Sequence, residues 1–418
     1  MNNPLLSFGR GLPDYAAIQA SHIKPAITEL LAKAQKAVDI SVNPSTPNTW
    51  KDLVEPLENV TEELGRSWGV IGHLNSVADT PELREAYGEM LPEVTAFWSG
   101  LGQNLDLYKK YKALSQSAEF QQLSLAQRKV IENSLRDFRL GGAELADDQK
   151  PRFSAIQDEQ ALLSKAFSDH VLDATDNYVH QVTNEKDLAG LPEDALAAAK
   201  QTAELKQLDG WAFTLHFPSY FPVMQFCDNR SLRKNLYQAY ITRASELGAE
   251  YGNGKSEWDN TENMLLQLRL KDEEAKMLGF ANYAALSLAP KMAKTVAEVD
   301  HFLEDFAKRA KSHGQKDWDD LQQFAKEHLH IDQLEPWDMA YASEKLKQAR
   351  YAFSENELKQ YFPLPKVLDG LFSIIQTLFG VKIQEDSLPK WHADVKSFKV
   401  TNASGELLAN FYLDPYAR

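Results

Sequence analysis

The sequence contains very little cysteine: Cys227 is the only one in 418 residues. A single thiol excludes an intramolecular disulfide and any zinc cluster built from several cysteines, and it fits a reducing compartment. No apolar run approaches the roughly 20 residues that a membrane-spanning helix needs. The longest, residues 371–381, is interrupted by Ser373, Gln376 and Thr377. The first ten residues lack the basic and apolar segments of a signal peptide. We therefore expect a cytoplasmic protein without membrane association.

The sequence also lacks an excess of basic residues. Its 45 lysines and arginines against 60 acidic residues give a net charge of −15. Proteins that bind nucleic-acid backbones usually show the reverse balance, so no nucleic-acid partner is expected. Acidic pairs such as Asp319-Asp320 are adjacent on predicted helices and point in different directions. A glycosidase-type acid pair cannot be told here from a solvated helix face. With 43% hydrophobic and 10% aromatic residues, the composition still predicts a globular protein with a sizeable core.

Two catalytic motifs are missing from the sequence. None of the ten histidines is followed by glutamate, so the H-E-x-x-H motif of helical zinc peptidases is absent. The G-x-S-x-G motif of serine hydrolases is absent as well. We therefore assign no catalytic residue and no metal ligand to this chain.

Two pairs of histidines were weighed as metal ligands. His328 and His330 form an H-x-H pattern, but residues two apart do not face each other on a helix. We interpret them as basic residues at a helix C-terminus, where the helix dipole favours them. His180 and His216 lie on two strands that we predict to pair. We interpret them as surface or core histidines rather than as ligands.

Three further features of the sequence have both a functional and a purely structural interpretation. The stretch 252–255 (GNGK) resembles part of a phosphate-binding loop but lacks the leading glycine at the required spacing. Cys227 follows an apolar segment and is interpreted as a buried inert thiol rather than a nucleophile. Asp259 and Asp338 each follow a tryptophan, and we expect each to cap a local helix.

Helical signals dominate the sequence. Thr49 can cap a helix whose apolar residues recur at spacings of three and four and which we expect to end near Gly65. Thr80-Pro81 predicts a second helix start, because proline is tolerated at the first helical position. Ser124 with Gln127, and Thr295 with Glu298, are capping-box patterns. The glycines at 141–142 should end the helix that starts at Ser124.

Strand signals are few and lie in three places. Residues 211–217 alternate apolar and polar side chains, and residues 178–182 are a weaker candidate that could pair with them. Residues 395–400 and 406–412 flank a turn-like TNASG segment and predict a hairpin. The fold class is therefore mainly α, a multi-helical lobe with a few short strands near 178–182, 211–217 and 395–412.

The domain organisation is predicted as three regions. They are an N-terminal helical region, a second helical region and the beginning of a third region, at residues 1–150, 151–394 and 395–418. Within the second region, the Ala-rich stretch 195–205 is interpreted as a helix rather than as a low-complexity linker, because its helix propensity is high.

Several stretches of the sequence form a set that extends over essentially the whole chain. In order they are HLNSVADTPELREAYGEMLP from His73, NSLRDFRLGG from Asn133, SDHVLDATDNY from Ser168, LPEDALAAAK from Leu191, PSYFPVMQFCDNRSLRKNLYQAYITRASE from Pro218, LGFANYAALSLAPKMA from Leu278, EPWDMAYASEK from Glu335 and the terminal FYLDPYAR. Each piece alone is a packing motif. Together they resemble the thimet oligopeptidase family of zinc metalloendopeptidases.

The resemblance implies a two-lobed, mostly helical protein with a deep channel that admits short unfolded peptides. In that family the H-E-x-x-H helix and a later glutamate ligand lie downstream of the position that matches Arg418. Zinc ligands are accordingly expected beyond Arg418, and none is carried over to a residue of this chain. One departure is Tyr341-Ala342, where the family pattern suggests a second tyrosine.

The implied function is hydrolysis of internal bonds in short peptides by a zinc-dependent oligopeptidase. Residues 1–418 would supply one lobe and part of the channel wall, and we expect them to be inactive alone. Short peptides are the expected partners, and a monomer is expected. The alternative is a non-catalytic helical module that binds peptides or a partner. The predicted terminal strand pair argues against that alternative, because it would leave an uncovered sheet edge.

Overall fold

A computed structural model describes residues 3–9, 11–352 and 355–416 of the chain. It is 67% helical and 6% strand, which confirms the predicted mainly α class. Among the described residues, no helix is long and apolar enough to cross a membrane. The three predicted domain boundaries are not tested by this architecture and stay predictions.

The first group of helices forms a compact bundle. Its elements are α1 (Pro4–Ser7), α2 (Ala20–Val42), a π-helical turn (Trp50–Val54), α3 (Glu55–Val77), α4 (Pro81–Gly102), α5 (Leu105–Ser115), α6 (Ala118–Gln122), α7 (Leu125–Leu140) and α8 (Lys150–Asn177). The predicted start signals are confirmed: Thr80 accepts from the Leu83 amide, and both bonds of the Ser124–Gln127 capping box are present. Helix α7 ends just before Gly141, as predicted.

The prediction of a helix end near Gly65 was wrong. Helix α3 continues through Gly65 to Val77. A helical glycine costs about 1 kcal/mol relative to alanine, whereas burying one large apolar side chain contributes roughly 1.5–3 kcal/mol. Leu64, Ile71 and Leu74 are all buried on the inner face of α3, so packing outweighs the local penalty.

Two apolar clusters hold this bundle together. The first joins α2, α3 and α4 through Ile23, Ile27, Leu64, Ile71 and Met90. The second joins α5 and α7 to the start of α3 through residues that include Leu53, Leu57, Leu107, Tyr111 and Ile131. The bundle therefore buries its apolar faces within itself.

The second group of elements is built around a short strand pair. It contains β1 (His180–Val182), a 3-10 turn (Glu185–Leu188), α9 (Glu193–Leu205), β2 (Trp211–Phe213), α10 (Phe217–Phe226), α11 (Arg230–Thr242), α12 (Gly248–Tyr251), a 3-10 turn (Ser256–Trp258), α13 (Thr261–Met277) and α14 (Tyr283–Leu288). The expected pairing is confirmed, with His180 opposite Phe213 in an antiparallel ladder. The Ala-rich stretch is helical, as predicted.

The predicted strand 211–217 was too long. It stops at Phe213, and α10 begins at Phe217 with proline in its first turn. The alternation of apolar and polar side chains continues through Leu215. This residue is buried, but it does not pair with another strand. Periodicity alone could not distinguish a buried loop residue from a strand residue here.

The third group ends in a three-stranded antiparallel sheet. It contains α15 (Val296–His328), a 3-10 turn (Pro336–Asp338), α16 (Met339–Tyr351), α17 (Glu355–Lys359), α18 (Leu364–Phe379), β3 (Lys382–Asp386), β4 (Lys396–Thr401) and β5 (Leu407–Leu413). The strand order is β3-β4-β5, so the predicted β4–β5 hairpin is confirmed. Strand β3 was missed because only Ile383 among its five residues is apolar; Ile383 pairs with Val400.

Candidate functional site

The four histidines considered as ligands have different local surroundings. His328 is the last residue of α15, as predicted, and its ring lies 4.9 Å from the ring of Phe324. His330 has a left-handed backbone with φ of 56°. His180 lies in β1, where burial lowers its pKa. His216 was predicted on a strand but instead precedes α10, with its Nε2 atom 3.0 Å from Asp176 Oδ1.

The described part of the chain contains no cluster of metal-binding side chains. Within residues 3–9, 11–352 and 355–416, no group of three histidine, cysteine, aspartate or glutamate side chains is arranged to hold a metal ion. Peptidases of the family suggested by the sequence are zinc metallopeptidases. That their ligands lie outside this chain stays a prediction, and no chemical step is assigned to zinc here.

The stretch 252–255 is not a phosphate cradle. It follows the four-residue helix α12, and the Gly252 and Gly254 amides both donate to the Gly248 carbonyl. Lys255 lies against the Trp258 ring, and only a three-residue 3-10 turn follows it. The element that directly follows this loop is therefore too short to supply the helix N-terminus that phosphate binding usually requires.

Cys227 is buried, as predicted. Its Sγ atom lies 3.5 Å from the Asp187 carbonyl oxygen. Burial raises the pKa of the thiol, which lowers the share of the reactive thiolate at neutral pH. The environment therefore favours a structural thiol over a nucleophile.

A buried ion cluster joins α11 to the turn before α16. Asp338 is fully buried, and its Oδ1 and Oδ2 atoms accept hydrogen bonds from Arg233 Nη2 at 2.8 Å and Arg230 Nη2 at 2.6 Å. Burial by itself would raise the pKa of Asp338, but the hydrogen bonds from the two arginines lower it overall. Asp338 also accepts from the Glu335 amide, so the predicted local cap is present but is the smaller part of its role.

The other predicted cap is wrong in its position, because the N-cap of α13 is Asn260 and Asp259 lies one residue before it. Asp259 accepts a hydrogen bond from the Thr261 amide at 2.9 Å, at the beginning of α13. This bond is local in sequence, which is why the residue pattern could indicate it. The arginine partners of Asp338 are 105 and 108 residues away and gave no comparable signal.

The ion cluster continues through Tyr341, which is buried, to a wall formed by the partly exposed side chains of Asp228 and Lys345. The Arg233 guanidinium lies 4.0 Å from the centre of the Tyr341 ring, and the Tyr341 hydroxyl donates to Asp228 Oδ1 at 2.9 Å. Burial, together with this bond to Asp228, raises the pKa of Tyr341 to about 12. Lys345 Nζ lies 3.3 Å from the same Asp228 oxygen. The wall therefore presents fixed polar groups of both signs.

The departure at Ala342 has a packing explanation. Ala342 is fully buried in a small cluster with Leu321, Ala325 and Leu334. A tyrosine at this position would have to displace α15 from α16. The structure therefore places position 342 in the protein interior rather than on a channel wall.

A cavity of about 880 Å³ opens beside this wall. It lies between the start of α9, the end of α10 and helices α16 and α17. Its lining includes Glu193, Asp194, Phe226, Lys345 and Lys359. An apolar surface flanked by carboxylates and ammonium groups can contact both the side chains and the charged ends of a peptide.

Comparison with known proteins shows a similarity to one family. Residues 223–418 match the sequence profile of peptidase family M3. Residues 27–150 match the profile of the neurolysin/thimet oligopeptidase N-terminal domain. Together these matches cover more than half of the chain. The chain is therefore similar to the proteins of peptidase family M3.

Individual relatives agree with this similarity. The chain is 43% identical to oligopeptidase A of Escherichia coli, in an alignment that covers all of this chain and 61% of that protein. It is 38% identical to a probable cytosolic oligopeptidase A of Arabidopsis thaliana, covering all of the chain and 59% of the relative. Identity to the dipeptidyl carboxypeptidase of E. coli is 27%, over 97% of the chain and 59% of the relative. The chain thus spans about three fifths of the length of these M3 relatives.

The family similarity confirms the resemblance found in the sequence. The ion cluster, Tyr341 and the cavity of about 880 Å³ lie mostly within the segment that matches the M3 profile. Sequence reasoning assigned no site residue and did not find this cluster. These residues lie in two of the stretches that carried the resemblance, but nothing in the sequence connected them to each other.

Proposed function

We propose that this chain forms the substrate-holding part of a cytoplasmic, zinc-dependent oligopeptidase that hydrolyses internal bonds of short peptides. The names of its relatives support the substrate class, and the name of the Arabidopsis relative supports the compartment. In this proposal the wall formed by Asp228 and Lys345, together with the adjacent cavity, contacts the peptide. The zinc ligands and the catalytic base belong to a segment outside residues 1–418, so these residues alone are inactive. The complete molecule acts as a monomer.

The observation that carries this proposal is the uncovered face of α18. Leu364, Val367, Leu371, Ile374 and Leu378 follow one another at spacings of three and four, and their side chains are 41–71% exposed. This spacing forms a continuous apolar stripe along one side of a helix, the pattern with which helices pack against each other.

The opposite side of α18 already has a partner. The Phe372 ring lies 5.0 Å from the Phe398 ring of β4 and 6.1 Å from the Phe411 ring of β5. The Ile383 amide donates to the Gln376 side chain, which fixes the helix to β3. A helix that is apolar on both sides is normally buried on both sides. The stripe is therefore a surface suited to a further segment.

Further apolar side chains near the same part of the chain are exposed. Phe302, Leu303 and Phe306 of α15 are 56–67% exposed, and Leu407 and Leu408 of β5 are 57% and 54% exposed. Large uncovered apolar surfaces mark interaction sites. The alignment with oligopeptidase A of E. coli covers only 61% of that relative, so the relative contains a further segment.

The proposal is tested with a quenched fluorescent peptide of about ten residues. The 418-residue chain with zinc should not cleave it. Adding the part of E. coli oligopeptidase A that lies beyond the aligned region should produce cleavage that a chelator abolishes. Chelator-sensitive cleavage by the 418-residue chain alone would contradict the assignment of the catalytic residues.

Two matched variants make this test specific for α18. Leu371→Glu with Ile374→Glu places charges in the stripe and should abolish the gain of activity. Thr377→Glu, which adds a charge to the same helix at an exposed position outside the stripe, should retain it. Equal activity of both variants would show that the stripe does not hold the catalytic segment.

The alternative is a peptide-binding module without catalysis, and the cavity of about 880 Å³ is the observation that favours it. Binding of the fluorescent peptide to the 418-residue chain alone, measured by fluorescence polarisation, distinguishes the two. Tight binding that the relative's segment leaves unchanged, without any cleavage, would support the module. Weak binding that strengthens when cleavage appears would support the peptidase.

A further inference from the structure

A second cavity, of about 600 Å³, lies within the first helical bundle, far along the chain from the M3-matched segment. Its walls come from α3, α4, α5 and α7. The ends of α4 and α7 approach so closely that a Cβ atom added to Gly141 would lie 2.9 Å from the Gly102 Cα atom. This glycine contact closes one side of the cavity. The volume is within the range of small-molecule sites, which is roughly 300–1,000 Å³.

Tyr111 lines this cavity with an unsatisfied polar group. The residue is only 1% exposed, and its hydroxyl makes no hydrogen bond within the part of the chain that the structure describes. The oxygen atom is not among the fully enclosed unpaired atoms of the described residues, so it reaches the open space of the cavity. Burial and the nearby charge of Glu58 both raise the pKa of this phenol, so it stays neutral and can donate or accept. Tyr111 is thus available to a ligand in the cavity.

Two carboxylates on α3 face the same space. Glu58 and Glu62 lie one helical turn apart and both line the cavity. Neither forms an ion pair within residues 3–9, 11–352 and 355–416. Like charges at this spacing destabilise a helix, and partial burial together with the charge of Glu62 raises the pKa of Glu58. Asp137, the third carboxylate of the lining, already pairs with Arg136 at 2.8 Å.

The remaining walls are aromatic and apolar. The Trp98 side chain is 38% exposed and lies at the cavity, and Phe138 and Leu57 supply buried apolar surface. Aromatic faces attract cations, and tryptophan does so most strongly. A hydrated metal ion would gain nothing from such walls, because hard cations prefer a shell of oxygen ligands. An alkyl chain that carries a cationic group matches both the walls and the carboxylates.

We propose that this cavity binds an organic cation, an alkylammonium or alkylguanidinium group. The alkyl part packs on Leu57 and Phe138, and the charged group lies between Glu58 and Glu62 within reach of Trp98 and the Tyr111 hydroxyl. Such a group is carried by a free polyamine-type molecule and by the lysine or arginine side chain of a peptide. The site is separate from the proposed peptide-holding wall and adds a second binding function to the chain.

The test is calorimetric titration of the 418-residue chain with agmatine at low salt, and with n-pentanol as an uncharged alkyl control. Agmatine should bind and n-pentanol should not, and added NaCl should weaken the agmatine affinity because the contact is electrostatic. Titration with acetyl-Gly-Arg-Gly-amide identifies the source: binding of both cations indicates a peptide side chain, and binding of agmatine alone indicates a free amine. Failure of both cations to bind at millimolar concentration overturns the proposal.

Variants locate the site. Glu58→Gln with Glu62→Gln should weaken agmatine binding by roughly tenfold or more, as loss of a charged partner does. Tyr111→Phe, which keeps the ring and removes only the hydroxyl, should weaken it several-fold. The control is Glu63→Gln on the same helix, where the native carboxylate pairs with Lys33 instead of facing the cavity. Equal affinity of the double variant and the control would overturn the proposal, and circular dichroism checks that each variant is folded.

Discussion

Helices α3 and α18 carry similar apolar patterns but have different surroundings. In α3, Leu64 and Ile71 are completely buried against α2 and α4. In α18, Leu371 and Ile374 are 47% and 60% exposed. More than half of the large exposed apolar side chains in the described residues lie after residue 290. The comparison teaches that an amphipathic pattern predicts an apolar face, whereas only the fold shows whether this chain supplies its partner.

The largest expected effect concerns the ion cluster that connects the last group of elements to α11. Asp338→Asn would leave Arg233, which is only 1% exposed, without its charged partner. Removing one member of a buried pair typically costs about 3–5 kcal/mol. We expect a loss of that size in the free energy of unfolding, measured by urea denaturation.

The control for Asp338 is an exposed pair. Asp320→Asn removes the partner of Arg350, and both side chains of this pair are accessible to solvent. Surface ion pairs contribute about 0–1 kcal/mol, so this change should be nearly silent. Comparable losses for the two substitutions would show that burial does not distinguish these pairs.

The same residue predicts a pH dependence. The pKa of Asp338 is lower in the folded protein than its ordinary value of 3.8. Such a group stabilises the fold fully above the ordinary pKa, and this contribution is lost as the pH falls through the folded pKa. The difference in unfolding free energy between wild type and Asp338→Asn should therefore shrink below about pH 4. A difference that grows with acidification would contradict the charged pair.

A second pair of substitutions tests the comparison of the two helices directly. Ile71→Ala opens a cavity in the bundle core and should cost about 2–5 kcal/mol of unfolding free energy. Ile374→Ala makes the same chemical change on the exposed stripe and should stay within about 0.5 kcal/mol. Urea denaturation measures both. Similar costs would mean that α18 is already packed in the 418-residue chain.

A smaller effect is expected from a dye that binds apolar surface. Replacing Leu371 and Ile374 with glutamine should reduce the fluorescence of 1-anilinonaphthalene-8-sulfonate without lowering stability, because the stripe is a contiguous apolar patch. Leu205→Gln, at an isolated leucine that is 79% exposed, is the control and should leave the fluorescence unchanged. An unchanged signal in the double variant would place the dye elsewhere.

The smallest effect concerns thiol reactivity. Cys227 is fully buried and its pKa is raised by burial, so a thiol reagent should modify it only after unfolding. In a variant with Cys227→Ala and Ser373→Cys, the new thiol on exposed α18 should react in the native state. Rapid native-state modification of Cys227 would show that the core around α10 opens readily.

Features formed by residues close together in the sequence could be predicted, whereas contacts between residues far apart in the sequence could not. The Ser124–Gln127 capping box and the β4–β5 hairpin use neighbouring residues, and both were confirmed. The Asp338 cluster joins residues more than 100 positions apart, and no local pattern indicated it. Strand β3 forms because it pairs with β4, and its own sequence contains too few apolar residues to predict a strand.

No residue of the candidate site was predicted, either from local sequence patterns or from the family resemblance. Because the H-E-x-x-H motif is missing, no ligand role was assigned to any histidine, and that assignment stays a prediction. The cavity lined by Glu58 and Tyr111 could not be foreseen, because its walls come from four helices whose packing no spacing rule specifies. The exposure of the α18 stripe could not be predicted either. The sequence pattern predicts that a helix has an apolar face, but it does not show which elements pack against that face.

The most direct test of this account is native-state hydrogen exchange of the 418-residue chain, with and without the added segment of E. coli oligopeptidase A. We predict that amides in α2–α4 exchange slowly, near the rate set by global unfolding, while α18 exchanges by local opening. Adding the segment should slow exchange in α18 and leave α2–α4 unchanged. Equal protection of the α3 and α18 amides from exchange in the chain alone would contradict the claim that the apolar stripe of α18 packs against a further segment.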